Sequence, residues 1–278
     1  MCQWRGFFAV AILALGAPPR AAWGVEEPPM SVAPETPAAA AAPTAPATED
    51  FDSPKRTRSG KVSPSRDPAL SPALGPVPSK VNVIVFSDFQ CPVCRRIVDA
   101  THQIAEEWPG EVRVEFRQHP LAIHSNARNA AIASLAAHRQ GKFWEMHDVL
   151  FANQQALDPA SLASYAERIG LDMKRYRKDI DDPALAKRVD EDSALADKLE
   201  AEGTPAFVIN GSLSVGWGSW LAFRNQVERE LGAVNALLGN GTKLADVHGV
   251  RARKAMEDKA AFKAYEAAVI ERLRKASK

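Results

Sequence analysis

Two of the three cysteines in this 278-residue chain stand three positions apart, Cys91 and Cys94, with Pro92 and Val93 between them. The run before them, Val81 to Phe89 (VNVIVFSDF), is short, apolar and rich in β-branched residues, the signature of a buried strand. From Arg95 to Trp108 apolar residues recur at helical spacing, and Pro109-Gly110 closes the segment. At such a strand-to-helix junction, unpaired N–H groups and the helix dipole favour a thiolate, lowering its pKa below the free value of about 8.5. Cys91 is therefore the expected nucleophile. The spacing of three puts Cys94 on the first helical turn, within reach of a disulfide, as the resolving thiol. Pro92 fits just inside the helix, where its missing N–H costs little. The predicted chemistry is reversible dithiol exchange, which needs no cofactor.

Other uses of the pair fare worse. Structural zinc takes four Cys or His ligands. His102, His119 and His124 are available, but no second pair has zinc-like spacing, so no metal is expected. A purely structural Cys91–Cys94 bridge would close too short a loop to constrain the unfolded chain much.

The third cysteine, Cys2, lies in a segment that reads as an export signal. Arg5 supplies a positive charge, Phe7 to Leu15 (FFAVAILAL) an apolar core, and Ala22-Trp23-Gly24 a small-residue cleavage site. The apolar run is about half the roughly 20 residues a membrane span needs. Residues 1–24 are thus expected to be removed, and Cys2 with them. The chain would then work outside the cytoplasm, in the periplasm or a similar space, where oxidised and reduced thiols are both attainable.

Residues 25–79 hold most of the prolines, since 14 of the chain's 20 fall in the first 79 positions, and Phe51 is the one aromatic between Trp23 and Phe86. Such a stretch cannot bury enough apolar surface to offset the cost of ordering its backbone, and a disordered linker is expected. Charge balances almost completely, 35 Lys plus Arg against 34 Asp plus Glu, which gives no electrostatic reason to expect a nucleic-acid partner.

The folded part is expected to begin at residue 80. After the first strand and helix, Val112 to Phe116 alternates as a second strand, and helical patterns cover Ser125–Gln140, Phe143–Ala152, Pro159–Ile169, Asp172–Ile180 and Pro183–Glu202. Ala206–Ile209 and Leu213–Val215, separated by Asn210-Gly211-Ser212, predict a hairpin, and Trp220–Leu231 a further helix. The order implies an α/β domain over residues 80–232 with a helical insertion at about 122–202. Residues 233–278 predict two more helices, Leu244–Glu257 and Asp258–Lys275. From Lys243 onward there are ten Lys or Arg against five Asp or Glu. A basic extension of this kind reads as a solvated face with its aliphatic side packed on the domain, or as an element that lies on an anionic surface.

Four stretches together carry a resemblance: Ser87-Asp88-Phe89-Gln90-Cys91-Pro92-Val93-Cys94, Phe116-Arg117-Gln118-His119-Pro120-Leu121, Gly141 to His147 (GKFWEMH), and Gly203 to Gly211 (GTPAFVING). From about Val81 to Leu231 the chain resembles the bacterial DsbA-like thiol:disulfide oxidoreductases. The resemblance implies a thioredoxin-like α/β fold with an inserted helical subdomain and a C-terminal helical extension. It also implies Cys91 as attacking thiol, Cys94 as resolving thiol, and Thr204-Pro205, joined by a cis bond, facing the dithiol and binding substrate. Spacing by itself allows an ordinary trans Pro205 opening a strand. A cis bond would leave Thr204 backbone groups free to pair with an extended peptide.

One position departs from the family. A buried carboxylate commonly stands six residues before the first cysteine, where it can relay the resolving thiol's proton, and here that residue is Val85. Glu115 and Asp88 are the available substitutes, each with a plainer reading as a strand face and a loop cap. Phe143 and Trp144 read as core, and Arg95 and Arg96 as solvated. The resulting expectation is an exported, monomeric oxidoreductase that introduces disulfides into unfolded, thiol-bearing exported proteins and is recycled by a membrane redox partner. Pro92-Val93 does not fix the redox direction, so reduction or isomerisation is the first alternative. The second is a non-catalytic peptide-binding or chaperone module that uses the groove at Thr204-Pro205.

Overall fold

The computed structural model describes residues 70–256 and 259–276, so the expected signal and most of the expected linker lie outside the described residues. Five strands, β1 (Ala73–Leu74), β2 (Val81–Ser87), β3 (Val112–Gln118), β4 (Ala206–Ile209) and β5 (Ser212–Val215), form one sheet in the order β1-β3-β2-β4-β5. Every residue of β2 and β3 is buried, as central strands covered on both faces must be. They run parallel, Val83 opposite Val114 and Ser87 opposite Gln118, and a parallel pair needs a crossover. That crossover is α1 (Pro92–Arg95) followed by α2 (Val98–Glu107). The single helix expected from Arg95 to Trp108 thus begins earlier and breaks at Ile97, whose φ of −101° and ψ of 0° leave the helical path. β4 lies antiparallel to β2, and β5 antiparallel to β4. Their two-residue turn places Asn210 at φ 46° and Gly211 at φ 97°, the left-handed values that a tight hairpin requires. A Cβ on Gly211 would meet the Cα of Ala252 at 2.5 Å, so a side chain there would push a packed helix away.

Between β3 and β4 run α3 (Ala127–Arg139), α4 (Phe143–Ala152), α5 (Pro159–Arg168), α6 (Met173–Ile180) and α7 (Pro183–Lys198). Asp158, Asp172 and Asp182 cap the last three, each accepting from backbone N–H groups of the first turn. One face of the sheet, with Val83, Val85, Val114, Phe116, Phe207 and Ile209, packs against the helices that carry Cys94, Ile104, Trp144 and Phe151. The other face, with Ile84, Phe86, Ala206 and Val208, packs against Leu195 of α7, against Leu199 at its C-cap and against the C-terminal helices.

Three boundaries differ from the sequence expectation. Ala73 and Leu74 fall within the expected linker, yet they pair with Glu115 and Val114 as an edge strand. The helix expected to stop at Leu231 continues to Gly239 as α8 (Trp220–Gly239), because Leu231 and Val234 both face the interior. The C-terminal elements α9 (Leu244–Ala255), α10 (Lys259–Tyr265), a π-turn (Glu266–Ile270) and α11 (Glu271–Ala276) bury Ala252, Tyr265, Val269, Ile270 and Leu273 against the sheet. Arg253, Lys254, Lys259, Lys263 and Lys275 are exposed, whereas Arg251, Arg272 and Arg274 are half-buried, in an element that closes the second face of the core.

A buried ion cluster fastens them there. Arg117, on β3, pairs with Glu115 at 2.5 Å and Asp192 at 2.8 Å, and its Nη2 also donates to the Ala268 carbonyl at 3.2 Å.

Candidate active site

The loop between β2 and α1 is held from three sides. The buried Asp88 carboxylate accepts from the Gln90 N–H at 2.7 Å and the Leu121 N–H at 2.8 Å, and lies 2.7 Å from His124 Nδ1. Gln90 Oε1 accepts from the Asn126 N–H at 2.5 Å. The Gln154 side-chain amide donates to the carbonyls of Phe89, at 2.8 Å, and Cys91, at 2.9 Å. These bonds fix Cys91 at the N-cap of α1, with φ −71° and ψ 122°, and Pro92 as the first helical residue.

Both cysteines are free thiols in opposite surroundings. Cys91 keeps a narrow opening to solvent, 5% exposed, whereas Cys94 is 0% exposed, so an incoming sulfur meets Cys91. The Cys91 pKa is lowered to about 5, chiefly by a hydrogen bond from the Cys94 thiol. Burial opposes the shift, and the Thr204 hydroxyl and the N–H groups of Cys94 and Val93 add to it. Cys94 is pushed the other way, upward, first by burial and next by its bond to Cys91, with the Ser87 hydroxyl and Asp88 N–H opposing. One sulfur is thus a thiolate at neutral pH while its neighbour keeps its proton.

Thr204 and Pro205 lie opposite. Their peptide bond is cis. In its thiol form Cys91 donates to the Thr204 carbonyl at 3.4 Å, and the Thr204 Oγ1 is buried with no hydrogen-bond partner of its own among the described residues, free to donate to a Cys91 thiolate. The Pro205 carbonyl accepts from the Gly216 N–H at 2.8 Å, tying this loop to the end of β5. Among the described residues, the large apolar side chains left exposed are Ile123, Val215, Leu221 and Val250. Ile123 adjoins the His124 that touches Asp88, and Val215 adjoins the Gly216 that touches Pro205.

Neither substitute carboxylate reaches the sulfurs in a relay role. Val85 is buried in the same apolar cluster as Cys91 and Cys94. Glu115 lies on the other face of the sheet, neutralised by Arg117, and Asp88 spends its oxygens on the loop. Val93 is half-buried, Pro92, Arg95 and Arg96 are exposed, and Phe143 and Trp144 sit in the core. His119 is buried beside Phe86, and burial lowers its pKa against the pull of Asp197 and the Ala201 carbonyl. Gln154 was not singled out from the sequence, because its partners are backbone carbonyls, and Ser87 entered only as the first residue of the motif that ends in Cys94.

Residues 82–228, just over half of the chain, match the family described as the DSBA-like thioredoxin domain. The chain belongs to that family. As a DSBA-like domain it has the thioredoxin-like fold, and solved structures agree. A thioredoxin-like oxidoreductase from Silicibacter pomeroyi DSS-3 is 30% identical with a TM-score of 0.53, covering 57% of this chain and 91% of that one. Oxidised BdbD from Bacillus subtilis is 25% identical with a TM-score of 0.53, covering 61% and 96% respectively. Among curated proteins, the Na(+)/H(+) antiporter NhaA 3 of Salinispora tropica is 40% identical over 146 residues, 52% of this chain and 22% of that protein. NhaA of Herminiimonas arsenicoxydans is 33% identical over 150 residues, 54% and 24%. This DSBA-like chain spans about a quarter of the curated relatives it matches, and antiport is a property of those proteins. No helix among its described residues is long and apolar enough to cross a membrane.

Proposed function

We propose that the chain is an exported thiol:disulfide oxidoreductase that introduces disulfides into extracytoplasmic proteins. The observation that carries this reading is the split of the dithiol, with Cys91 held near pKa 5 and Cys94 held far above it. In the resting oxidised form the two sulfurs are joined. A client thiolate attacks the Cys91 sulfur, the Cys91–Cys94 bond breaks, and Cys94 leaves and takes up a proton. A second client thiolate then attacks the client sulfur of the mixed disulfide. The client disulfide forms, Cys91 departs as a thiolate, and two electrons have passed from client to protein. A low-pKa leaving group speeds this last step, and a stabilised thiolate favours the reduced protein, which makes the oxidised protein the stronger oxidant.

The Thr204-Pro205 loop supports a substrate-binding role, since Thr204 touches the reacting sulfur and an extended client could pair alongside it. Clients are unfolded, thiol-bearing exported proteins, and a membrane oxidase linked to quinones regenerates the disulfide of a monomeric enzyme. The signal-like pattern read from residues 1–24 of the sequence supports the extracytoplasmic setting. The test is oxidation of a reduced, unfolded client by the oxidised protein, with free thiols counted over time. Wild type is expected to consume two client thiols per turnover and Cys91→Ser none. Full client oxidation by Cys91→Ser would leave the peptide-binding reading in its place.

A further inference from the structure

His102 on α2 and His147 and Asp148 on α4 form a polar cluster that dithiol exchange does not use. His102 Nε2 and His147 Nδ1 both lie 2.9 Å from the same oxygen, Asp148 Oδ1. We propose that these three side chains form a binding site for a divalent late first-row transition ion, with copper(II) bound most tightly.

The donor set is two imidazole nitrogens and one carboxylate oxygen, which suits such ions. All three ligand atoms lie within 4.8 Å of one another. With metal–ligand bonds of about 2.0 Å, ligand atoms at right angles stand about 2.8 Å apart, and at tetrahedral angles about 3.3 Å. The observed nitrogen-to-oxygen spacings therefore fit right-angled ligation, the tetragonal N,O geometry that copper(II) adopts, and copper also heads the general affinity order.

The rings are fixed in advance. His147 is packed among Phe89, Trp144, Phe116 and Phe151, with ring centroids between 4.9 and 6.0 Å, and His102 lies against Trp144 at 5.3 Å. Asp148, with 41% of its side chain exposed, gives the ion a path from solvent and leaves room for water ligands. Coordination uses neutral imidazoles, each ring carrying its proton on the other nitrogen. The sequence reading weighed His102 only with the cysteines, because α2 and α4 come together only in the fold.

The test uses the full chain with Cys2→Ser and without an affinity tag, in its oxidised form, so that no cysteine offers a thiolate. Copper(II) and zinc(II) binding are measured by competition with a chromophoric chelator, and the copper-loaded protein by electron paramagnetic resonance. One copper(II) per chain is expected, with equatorial nitrogen couplings, with zinc(II) weaker, and with affinity falling at least about tenfold in His102→Gln and in Asp148→Asn. Undiminished copper affinity in folded variants, a resonance spectrum without nitrogen coupling, or no saturable site in wild type would overturn the proposal. The spectrum of wild type decides the question if either variant fails to fold.

Discussion

The sulfur of Cys91 stands 3.4 Å from the carbonyl oxygen of Thr204, a residue 113 positions further along the chain. The same residue's hydroxyl is buried without a hydrogen-bond partner among the described residues, and it helps to lower the Cys91 pKa by donating to the thiolate form. Thr204 therefore serves both protonation states of the nucleophile.

Replacing that hydroxyl should be felt first in the thiolate. A hydrogen bond to a charged group contributes about 1.5–3 kcal/mol, and one pKa unit corresponds to about 1.4 kcal/mol. Thr204→Val is thus expected to raise the Cys91 pKa from about 5 by about one to two units. Thiolate absorbance near the ultraviolet edge reads this directly, and an unchanged titration curve would remove Thr204 from the account.

Gln154 braces the other side of the same residue through the Phe89 and Cys91 carbonyls. Gln154→Ala breaks two hydrogen bonds worth about 0.5–1.5 kcal/mol each. A loss of about 1–3 kcal/mol in urea unfolding is expected. A shift below the error of the measurement would show that Asp88 and Gln90 suffice to hold the loop.

Stability of the reduced protein should depend on pH with a definite sign. Cys91 is an acid whose folded pKa is depressed to about 5, so its contribution is complete above the unfolded thiol pKa of about 8.5 and is lost as pH falls through about 5. Reduced wild type should gain stability relative to Cys91→Ser as pH rises across that window. Parallel urea midpoints at every pH would contradict the depressed pKa.

Arg117 is buried between Glu115 and Asp192 and reaches the Ala268 carbonyl. Arg117→Met leaves Glu115 without its ion-pair partner and Asp192 with Arg188 alone, at 3.4 Å, which costs about 3–5 kcal/mol. Part of that loss should return when Glu115→Gln is added, since one unpaired charge is then removed. Equal stabilities of single and double variants would argue that packing, rather than charge, is what Arg117 supplies.

The legible parts of the molecule were those written locally. The β-branched run before Cys91, the helical period after it and the Asn210-Gly211 turn each reside within a few neighbouring residues, and they fixed the junction that carries the dithiol. β1 was missed because two residues are too few to show a period, and Ala73-Leu74 sits among prolines and serines. In the C-terminal helices the expected packing of an aliphatic side on the domain is met by Tyr265, Val269, Ile270 and Leu273, but which sheet face they cover shows only in the fold. Glu115 read as an exposed strand position because, although its partner Arg117 is only two residues away, Asp192 of α7 and the Ala268 carbonyl that also bind Arg117 cover this face only in the fold. Polar braces such as Gln154 bond to carbonyls that every sequence position offers.

The claim that the dithiol is built to oxidise is tested most directly by its reduction potential, measured by equilibrating the protein against glutathione mixtures and quantifying the free thiols of Cys91 and Cys94. With the Cys91 thiolate stabilised as described, a potential toward about −120 mV is predicted, at the oxidising end for this fold. A potential near about −270 mV would contradict the account and make the protein a reductant.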